Sequence, residues 1–150
     1  LFKELDKRIN EVESKIQKEF SLMKCHIQTI RGISDITAAS ILSEIGDINR
    51  FDSPNQLQAY AGMEPSKNQS GTHDSGGHMV KHGSSHLRRY LMMAAGNMLK
   101  FNPVLYDYYI KKRDEGKTHN VAVSHVARRL IRIIYYLEKN DSDFDIEKMR

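Results

Sequence analysis

The stretch from Pro65 to Arg89 contains almost no apolar side chains and cannot contribute to a hydrophobic core. It reads PSKNQSGTHDSGGHMVKHGSSHLRR and consists mostly of glycine, serine, histidine and basic residues. A turn-rich loop of this length between apolar, periodic segments is either disordered or functional. We interpret it as functional, with Ser70 at its centre.

The segments on both sides of this loop have helical periodicity. From Phe2 to Ile30, apolar residues recur at steps of three and four, with two consecutive fours around Ile16. This pattern predicts a helix with a coiled-coil seam and one stutter, which either folds back on its own domain or pairs with a second copy of the chain. Before the loop, Asp52 or Ser53 caps a short helix that ends at Gly62. After the loop, the pattern predicts three helices, one that follows Gly83-Ser84-Ser85 and runs to about Lys100, one from Asn102-Pro103 to Gly116 and one from about Asn120 to Glu138.

Residues 27–46 read IQTIRGISDITAASILSEIG and resemble a helix-hairpin-helix motif, with a tight turn at Gly32 and a second helix that ends at Gly46. Gly32 can adopt the backbone angles of the turn, and Ser34 or Asp35 can cap the second helix. In such motifs, backbone N–H groups hold a phosphate of nucleic acid without reading its sequence. A plain antiparallel helix corner is the alternative, and the charge of Asp35 disfavours a phosphate contact.

The predicted fold class is therefore all-α: a helical domain with a helix-hairpin-helix motif, a glycine-rich active-site loop and an N-terminal coiled-coil-like helix. We predict a helical linker over residues 1–26, the domain over 27–138 with its glycine-rich loop at 62–83, and a tail over 139–150. No strand-like alternation stands out, although the segment after Gly62 can hold a small hairpin. Because the sequence starts at Leu1 inside an apparent helix, we expect it to be a piece of a longer protein.

Charge and cysteine content limit the classes of function. The 23 Lys and Arg residues exceed the 19 Asp and Glu residues, and the acidic residues gather at both ends, so the span 67–132 is strongly basic. An excess of this kind favours an anionic partner.

The single cysteine, Cys25, excludes an intrachain disulfide and fits a reducing cytosol. No apolar run approaches the roughly 20 residues that cross a bilayer. We expect a cytoplasmic protein with no membrane partner.

Ser70 and Gly71 form the chemical centre of the loop. A serine hydroxyl is a poor nucleophile unless a base takes its proton and cations stabilise the charge that develops on a phosphoryl oxygen. The flanking cations are Lys67, Lys81 and His82, together with Arg88 and Arg89, which we place on the first turns of the next helix, projecting back towards the loop. From residue types alone, such a serine is more often a phosphate ligand than a nucleophile.

Two other groups of residues suggest different chemistry. His78, His82 and His86 are spaced by four, but the glycines between them argue against one helix, so we predict no metal site. Tyr106, Tyr108 and Tyr109 allow a tyrosine nucleophile with Arg128, Arg129 and Arg132, which we expect to face outward on the last helix. Tyrosines at helical spacing are, however, usually packing residues.

Four segments together resemble the C-terminal domain of the DEDD-type insertion-sequence transposases, whose relatives include the pilin-gene invertases of the Piv type. They are IRGISDITAASILSEIGDINRF, LQAYAGMEPSKNQSG, KHGSSHLRRYL and VARRLIRIIYYL, in the family's order from about Ile27 to Leu137. The resemblance implies an N-terminal RuvC-like domain whose four acidic residues bind magnesium. That domain is absent from this sequence, so no cofactor is assigned to this chain, which alone we expect to be inactive in strand cleavage.

The resemblance also implies roles for individual residues. The family's Ser-Gly motif falls on Ser70 and Gly71, which makes Ser70 the expected nucleophile that joins covalently to DNA. Expected partners are DNA, a structured guide RNA as in insertion-sequence members, and a second copy through the N-terminal helix, in a bacterial or archaeal cytoplasm. The residues expected to bind nucleic acid are Gly32, Ser34, Lys67, Gly71, Lys81, His82, Arg88, Arg89, Arg128, Arg129 and Arg132.

Two features leave alternatives open. The loop after Ser70 carries histidines and an aspartate where the family tends to be richer in arginine, so Arg88 and Arg89 match the motif better than residues inside the loop. The rival interpretation is a noncatalytic helix-hairpin-helix module for nucleic-acid binding and oligomerisation, in which Ser70 is only a phosphate ligand.

Overall fold

A computed structural model describes residues 1–65, 79–80 and 83–149. Within these ranges, the chain forms six α-helices, three short 3-10 helices and one pair of two-residue antiparallel strands. The α-helices are α1 (Phe2–Ser21), α2 (Asp35–Ile45), α3 (Pro54–Tyr60), α4 (Ser85–Met98), α5 (Pro103–Asp114) and α6 (His119–Lys139). The 3-10 helices are His26–Thr29, Ile48–Arg50 and Ile146–Met149, and the strands are β1 (Glu64–Pro65) and β2 (Met79–Val80). The structure is mostly helical, which confirms the predicted all-α class, and the small hairpin after Gly62 is present.

Helix α6 is the centre of the domain, since α3, α4, α5 and two of the 3-10 helices pack against it. Its apolar residues recur every three or four positions, so they lie along one face of the helix. Leu130, Ile131 and Ile134 on this face are completely buried. Burying side chains of this size contributes about 1.5–3 kcal/mol each, which makes this face a main source of stability.

The helices α2, α3, α4 and α5 begin where the sequence predicts. In each, a serine or asparagine side chain accepts a hydrogen bond from the backbone N–H three residues later, which satisfies a donor at the start of the helix. The caps are Ser34 (3.2 Å from Thr37 N), Ser53 (3.3 Å from Gln56 N), Ser84 (3.1 Å from Leu87 N) and Asn102 (3.1 Å from Leu105 N).

The N-terminal helix is shorter than its apolar spacing predicts. Helix α1 ends at Ser21, and the chain becomes extended at Cys25 before the 3-10 helix His26–Thr29. The physical reason lies on α6, where the Glu138 carboxylate accepts the backbone N–H groups of His26 and Ile27 at 2.9 and 3.1 Å. These N–H groups are therefore not available to continue α1.

The first half of α1 extends away from the core. Phe2 is 83% exposed, and Leu5, Ile9 and Val12 are also exposed, whereas Phe20 is buried. Within the described residues, the predicted coiled-coil seam therefore packs on the domain only near its C-terminal end. Pairing of this seam with a second copy stays a prediction.

The C-terminal tail is tied to the segment after α1, although the sequence gives no clear signal for it. The His26 imidazole lies between two carboxylates, with Nδ1 2.7 Å from Asp143 Oδ1 and Nε2 2.8 Å from Asp141 Oδ1. The side chain of Lys24 donates to Asp141 Oδ2 at 2.6 Å, and the backbone N–H of Phe144 donates to Thr29 Oγ1 at 2.8 Å. The hydrogen bonds to Asp141 and Asp143 raise the pKa of His26 above its usual value.

Candidate nucleic-acid interface

The two ends of the glycine-rich loop lie side by side in the strand pair of β1 and β2. In the strand pair, Glu64 lies opposite Val80 and Pro65 lies opposite Met79. Residues 66–78 and 81–82 lie outside the described residues, and with them the predicted site residues Lys67, Ser70, Gly71, Lys81 and His82. The structure therefore fixes the position of the loop ends relative to the helices.

Gly83 holds the returning end of the loop against the end of α3. Its φ of +108° is in the left-handed region, and a Cβ there would lie 2.2 Å from the carbonyl oxygen of Tyr60. The next backbone N–H, that of Ser84, donates to the same oxygen at 2.7 Å. Only glycine allows this approach, because any side chain would meet backbone atoms that cannot move independently.

Ser84 connects the loop end to two helices. Its hydroxyl donates to Glu44 Oε2 at 2.7 Å and accepts the backbone N–H of Leu87 at 3.1 Å. The first contact ties it to α2 and the second caps α4. Glu44 is a residue that the sequence reasoning missed, since its partner is 40 positions away and no local pattern relates them.

Arg88 and Arg89 lie on the first turns of α4, as predicted. Arg88 is half-buried and its Nη1 donates to the carbonyl oxygen of Ala61 at 3.4 Å, between α3 and β1. Arg89 is exposed. Arg88 therefore lies directly beside the point where the loop begins.

Three arginines from distant parts of the chain contact α3 or the residue after it, Arg50 and Arg88 at its end and Arg132 at its first turn, and we name them the α3 arginine cluster. The exposed Arg132 donates from Nη2 to Asn55 Oδ1, on the first turn of α3, at 2.9 Å. The guanidinium carbon of Arg50 lies 4.6 Å from the ring centroid of Tyr60, at the end of α3. Sequence reasoning missed Arg50, because a 3-10 helix of three residues has no periodic signal.

The positive charge of this cluster is not neutralised by direct contacts. Of the described arginines, only Arg8 forms an ion pair, and its partner is Glu4 on α1. The sequence between Gly83 and Lys139 contains eleven Lys and Arg residues but only four Asp and Glu residues. Unpaired cations on a surface raise the local concentration of anions such as nucleic-acid phosphates.

The prediction that Arg128 faces outward is wrong, whereas Arg129 and Arg132 are exposed as expected. Arg128 is half-buried because it follows Ser124 by four residues and precedes Ile131 by three, and both of these are buried on α6. Its Nε is fully buried and has no hydrogen-bond partner among the described residues. This burial lowers the pKa of the Arg128 guanidinium.

The predicted hairpin residues lie at the other end of α4 from the loop. Gly32 has a φ of +100°, and a Cβ there would lie 2.8 Å from Cδ2 of Phe101, just beyond the end of α4. Arg88 is separated from Met98, which lies against Gly32, by about 15 Å of rise along α4, so the structure does not bring Gly32 and Ser34 together with Arg88. The expected α-helix before the turn is a 3-10 helix of four residues, so that part of the expectation is wrong.

Among the described residues, no group of three or more His, Cys, Asp and Glu side chains is arranged to hold a metal ion. No helix in this part of the chain combines the length and apolar character needed to cross a bilayer.

Comparison with known proteins finds a transposase family model and relatives named for insertion elements and pilin-gene inversion. Residues 25–110 match the family model described as "Transposase IS116/IS110/IS902 family". The chain is 29% identical over 119 residues to "Insertion element IS110 uncharacterized 43.6 kDa protein" of Streptomyces coelicolor, which is 79% of this chain and 29% of that protein. It is 29% identical over 121 residues to "Pilin gene-inverting protein" of Moraxella bovis, which is 79% of this chain and 38% of that protein.

A third relative is also an insertion-element protein. The chain is 26% identical over 133 residues to "Insertion element IS116 uncharacterized 44.8 kDa protein" of Streptomyces clavuligerus, covering 87% of this chain and 33% of that protein. The chain thus spans about a third of the length of these relatives. Since the family model covers more than half of the chain, this protein belongs to the IS116/IS110/IS902 family of transposases.

Proposed function

We propose that this chain is the C-terminal, DNA-binding part of a longer transposase or site-specific DNA invertase, in which Ser70 attacks a DNA phosphodiester. The observation that carries the proposal is that Arg50 and Arg88 lie at the end of α3, where the serine-bearing loop begins and ends, while Arg132 binds the first turn of the same helix. The names of the relatives, which include insertion-element proteins and a pilin gene-inverting protein, support the class of reaction.

In the proposed reaction, the Ser70 hydroxyl oxygen forms a bond to phosphorus while the bond from phosphorus to a deoxyribose oxygen breaks. The serine proton passes to a base, and the leaving oxygen takes up a proton to become a strand hydroxyl. Attack by another strand hydroxyl on the serine-linked phosphate then rejoins DNA and regenerates Ser70, with no net change in the number of phosphodiester bonds. Arg88, Arg89, Lys81 and His82 stabilise the charge on the non-bridging oxygens during both steps.

In this proposal, the metal ion and the acid-base groups lie outside this chain. From the resemblance to DEDD-type transposases, we expect magnesium and the acid-base residues to belong to an N-terminal RuvC-like domain. The steps assigned to this chain are the attack by Ser70 and the binding of the phosphate by basic residues. We therefore expect the 150-residue chain to bind DNA without cleaving it.

We also propose partners for the hairpin residues, for the arginines and for helix α1. The hairpin residues Gly32 and Ser34 lie about 15 Å along α4 from Arg88, which corresponds to about four base pairs of duplex. We propose that they contact a second backbone phosphate of the same DNA. Arginines do not distinguish DNA from RNA phosphates, so a structured guide RNA is a proposed partner of this face as well. A second copy of the chain is the proposed partner of the exposed α1 seam.

The test is a recombination assay with the full-length recombinase that we propose contains this chain. We expect Ser70→Ala to abolish recombination while DNA binding persists, and Ser75→Ala, in the same loop, to retain recombination. The noncatalytic alternative, in which Ser70 is only a phosphate ligand, instead predicts that Ser70→Ala weakens DNA binding and lowers recombination without abolishing it. The tyrosine alternative has one supporting contact, a 2.8 Å hydrogen bond between Tyr109 Oη and His119 Nδ1. It predicts that Tyr109→Phe, and not Ser70→Ala, abolishes recombination.

A further inference from the structure

The exposed part of α1 has the residue spacing of a two-stranded coiled coil. Its apolar residues follow steps of three, four, three and four, which assigns each of them to position a or d of a heptad. The a residues are Phe2, Ile9 and Ile16, and the d residues are Leu5 and Val12. All five side chains are exposed, from 37% for Ile16 to 83% for Phe2. Isoleucine at a together with leucine at d favours the pairing of two helices.

The stutter at Ile16 ends this seam. The next d position is Glu19, which is exposed, while the apolar stripe moves by one residue to Phe20, which is buried. Beyond this point, α1 packs on α2 of its own chain. The seam that is available to a second copy therefore extends from Phe2 to Ile16.

The charges that flank the seam are separated by sign. The e positions, which follow the d residues, are Asp6 and Glu13, whereas the g positions, which precede the a residues, are Arg8 and Lys15. Among the described residues, Arg8 pairs with Glu4 of its own helix at 3.5 Å, and the other three flanking charges form no ion pair. Residues at e and g form salt bridges between paired helices and thereby set their orientation.

The two possible orientations bring different charges together. In a parallel pair, position g faces position e of the next heptad, so Arg8 lies beside Glu13 of the second copy. In an antiparallel pair, g faces g, so Arg8 lies beside Lys15. The e positions then also face each other, so Asp6 lies beside Glu13. The parallel pair therefore gains attractive contacts, whereas both antiparallel contacts bring like charges together and destabilise pairing.

We propose that two copies of the chain pair through residues 2–16 of α1 as a parallel, in-register coiled coil. This inference rests on the part of the proposed function that pairs α1 with a second copy, and it adds the orientation and the register. Helix α1 is about 30 Å long, so an antiparallel pair would place the two domains at opposite ends of it. The parallel pair places both domains, and with them both serine-bearing loops, at the same end of the coiled coil.

Disulfide formation in the 150-residue chain tests the orientation and the register. Leu5→Cys and Ile16→Cys proteins are mixed in a glutathione redox buffer, and one of them is isotopically labelled so that mixed and unmixed dimers differ in mass. In the parallel pair, identical positions lie side by side, so we expect disulfides that join 5 to 5 and 16 to 16. In an antiparallel pair, Leu5 packs against Ile16, and identical positions are about 16 Å apart, which a disulfide does not span.

Ser14→Cys is the matched control, because Ser14 is exposed on the face of α1 opposite the seam. The native Cys25 is buried, and burial raises its pKa to about 11, so it stays a thiol and does not compete. We expect the dimer yields of Leu5→Cys and Ile16→Cys to exceed that of Ser14→Cys about tenfold, because pairing raises the effective concentration of seam residues alone.

Charge reversal tests the contact between Arg8 and Glu13. In the Leu5→Cys protein, we expect Arg8→Glu to lower the dimer yield about tenfold at low salt, because two attractive contacts become repulsive. Adding Glu13→Arg restores the yield, because the pair is then reversed rather than removed. Loss of the contact between Arg8 and Glu4 within one helix does not predict this rescue.

Three results overturn the inference: mixed disulfides between positions 5 and 16 as the main product, no dimer yield above that of Ser14→Cys, or no rescue of Arg8→Glu by Glu13→Arg. The Ser70→Ala recombination assay tests the recombinase proposal separately, so failure of one is distinguishable from failure of the other.

Discussion

The substitution Gly83→Ala tests most sharply how the serine-bearing loop is anchored. In the wild type, the Cα of Gly83 packs against the last turn of α3, and the Ser84 N–H donates to the Tyr60 carbonyl at 2.7 Å. A Cβ at position 83 would lie 2.2 Å from that oxygen, 2.9 Å from its carbon and 3.0 Å from the carbonyl oxygen of Ala59. All three are backbone atoms, so relief requires movement of α3 or of the start of α4.

The expected cost has three parts. An alanine with a φ of +108° costs about 1–2 kcal/mol. Overpacking against rigid neighbours adds about 1–3 kcal/mol. Weakening of the hydrogen bond from Ser84 to Tyr60 adds about 1 kcal/mol. Together they predict that Gly83→Ala lowers the free energy of unfolding by about 3–6 kcal/mol.

Gly116→Ala is the matched control, because Gly116 has a φ of +81° but no atom within 4 Å of the Cβ position. It therefore has the backbone strain alone, about 1–2 kcal/mol. Urea denaturation of both variants gives the two free energies. Equal destabilisation of the two variants would refute the argument that the loop end is fixed by close packing on α3.

The remaining predictions concern the tail, the α4 cap and the core. Since the pKa of His26 is raised on folding, its stabilising effect is complete below the unfolded-state pKa of about 6.5 and is lost as pH rises through the folded-state pKa. His26→Gln should therefore destabilise the chain more at pH 6 than at pH 9 in urea denaturation, and an equal effect would contradict this. Ser84→Ala should cost about 1–2 kcal/mol and raise amide hydrogen exchange at the start of α4, because the cap is lost; unchanged exchange there would contradict it. Leu130→Ala should cost about 2–5 kcal/mol by opening a cavity beneath α6, and a loss below 1 kcal/mol would contradict its place in the core.

The elements that the sequence predicted well depend on local signals. Three helix starts follow from cap residues that directly precede the helices, namely Ser53, Ser84 and Asn102. The buried faces of α4 and α6 follow from the spacing of apolar residues within each helix. Arg88 and Arg89 could be placed beside the loop for the same reason.

The features that were missed depend on contacts between distant residues. Helix α1 ends early because Glu138, more than 110 positions away, accepts the backbone N–H groups after it. The α3 arginine cluster forms because α6 brings Arg132 to Asn55, 77 positions away. Arg128 was misplaced because it lies at the edge of the buried face of α6, where periodicity does not separate buried from exposed positions. The roles of Ser70 and Gly71, which lie outside the described residues, stay predictions.

The most direct test of the central claim is to map the covalent bond between protein and DNA in the full-length recombinase. Reactions on end-containing DNA with candidate guide RNA are stopped with denaturant, and adducts are located by mass spectrometry. We predict DNA attached to Ser70, with no adduct in a Ser70→Ala protein that still binds DNA. An adduct on another residue such as Tyr109, or none while the wild-type protein recombines DNA, would contradict the claim.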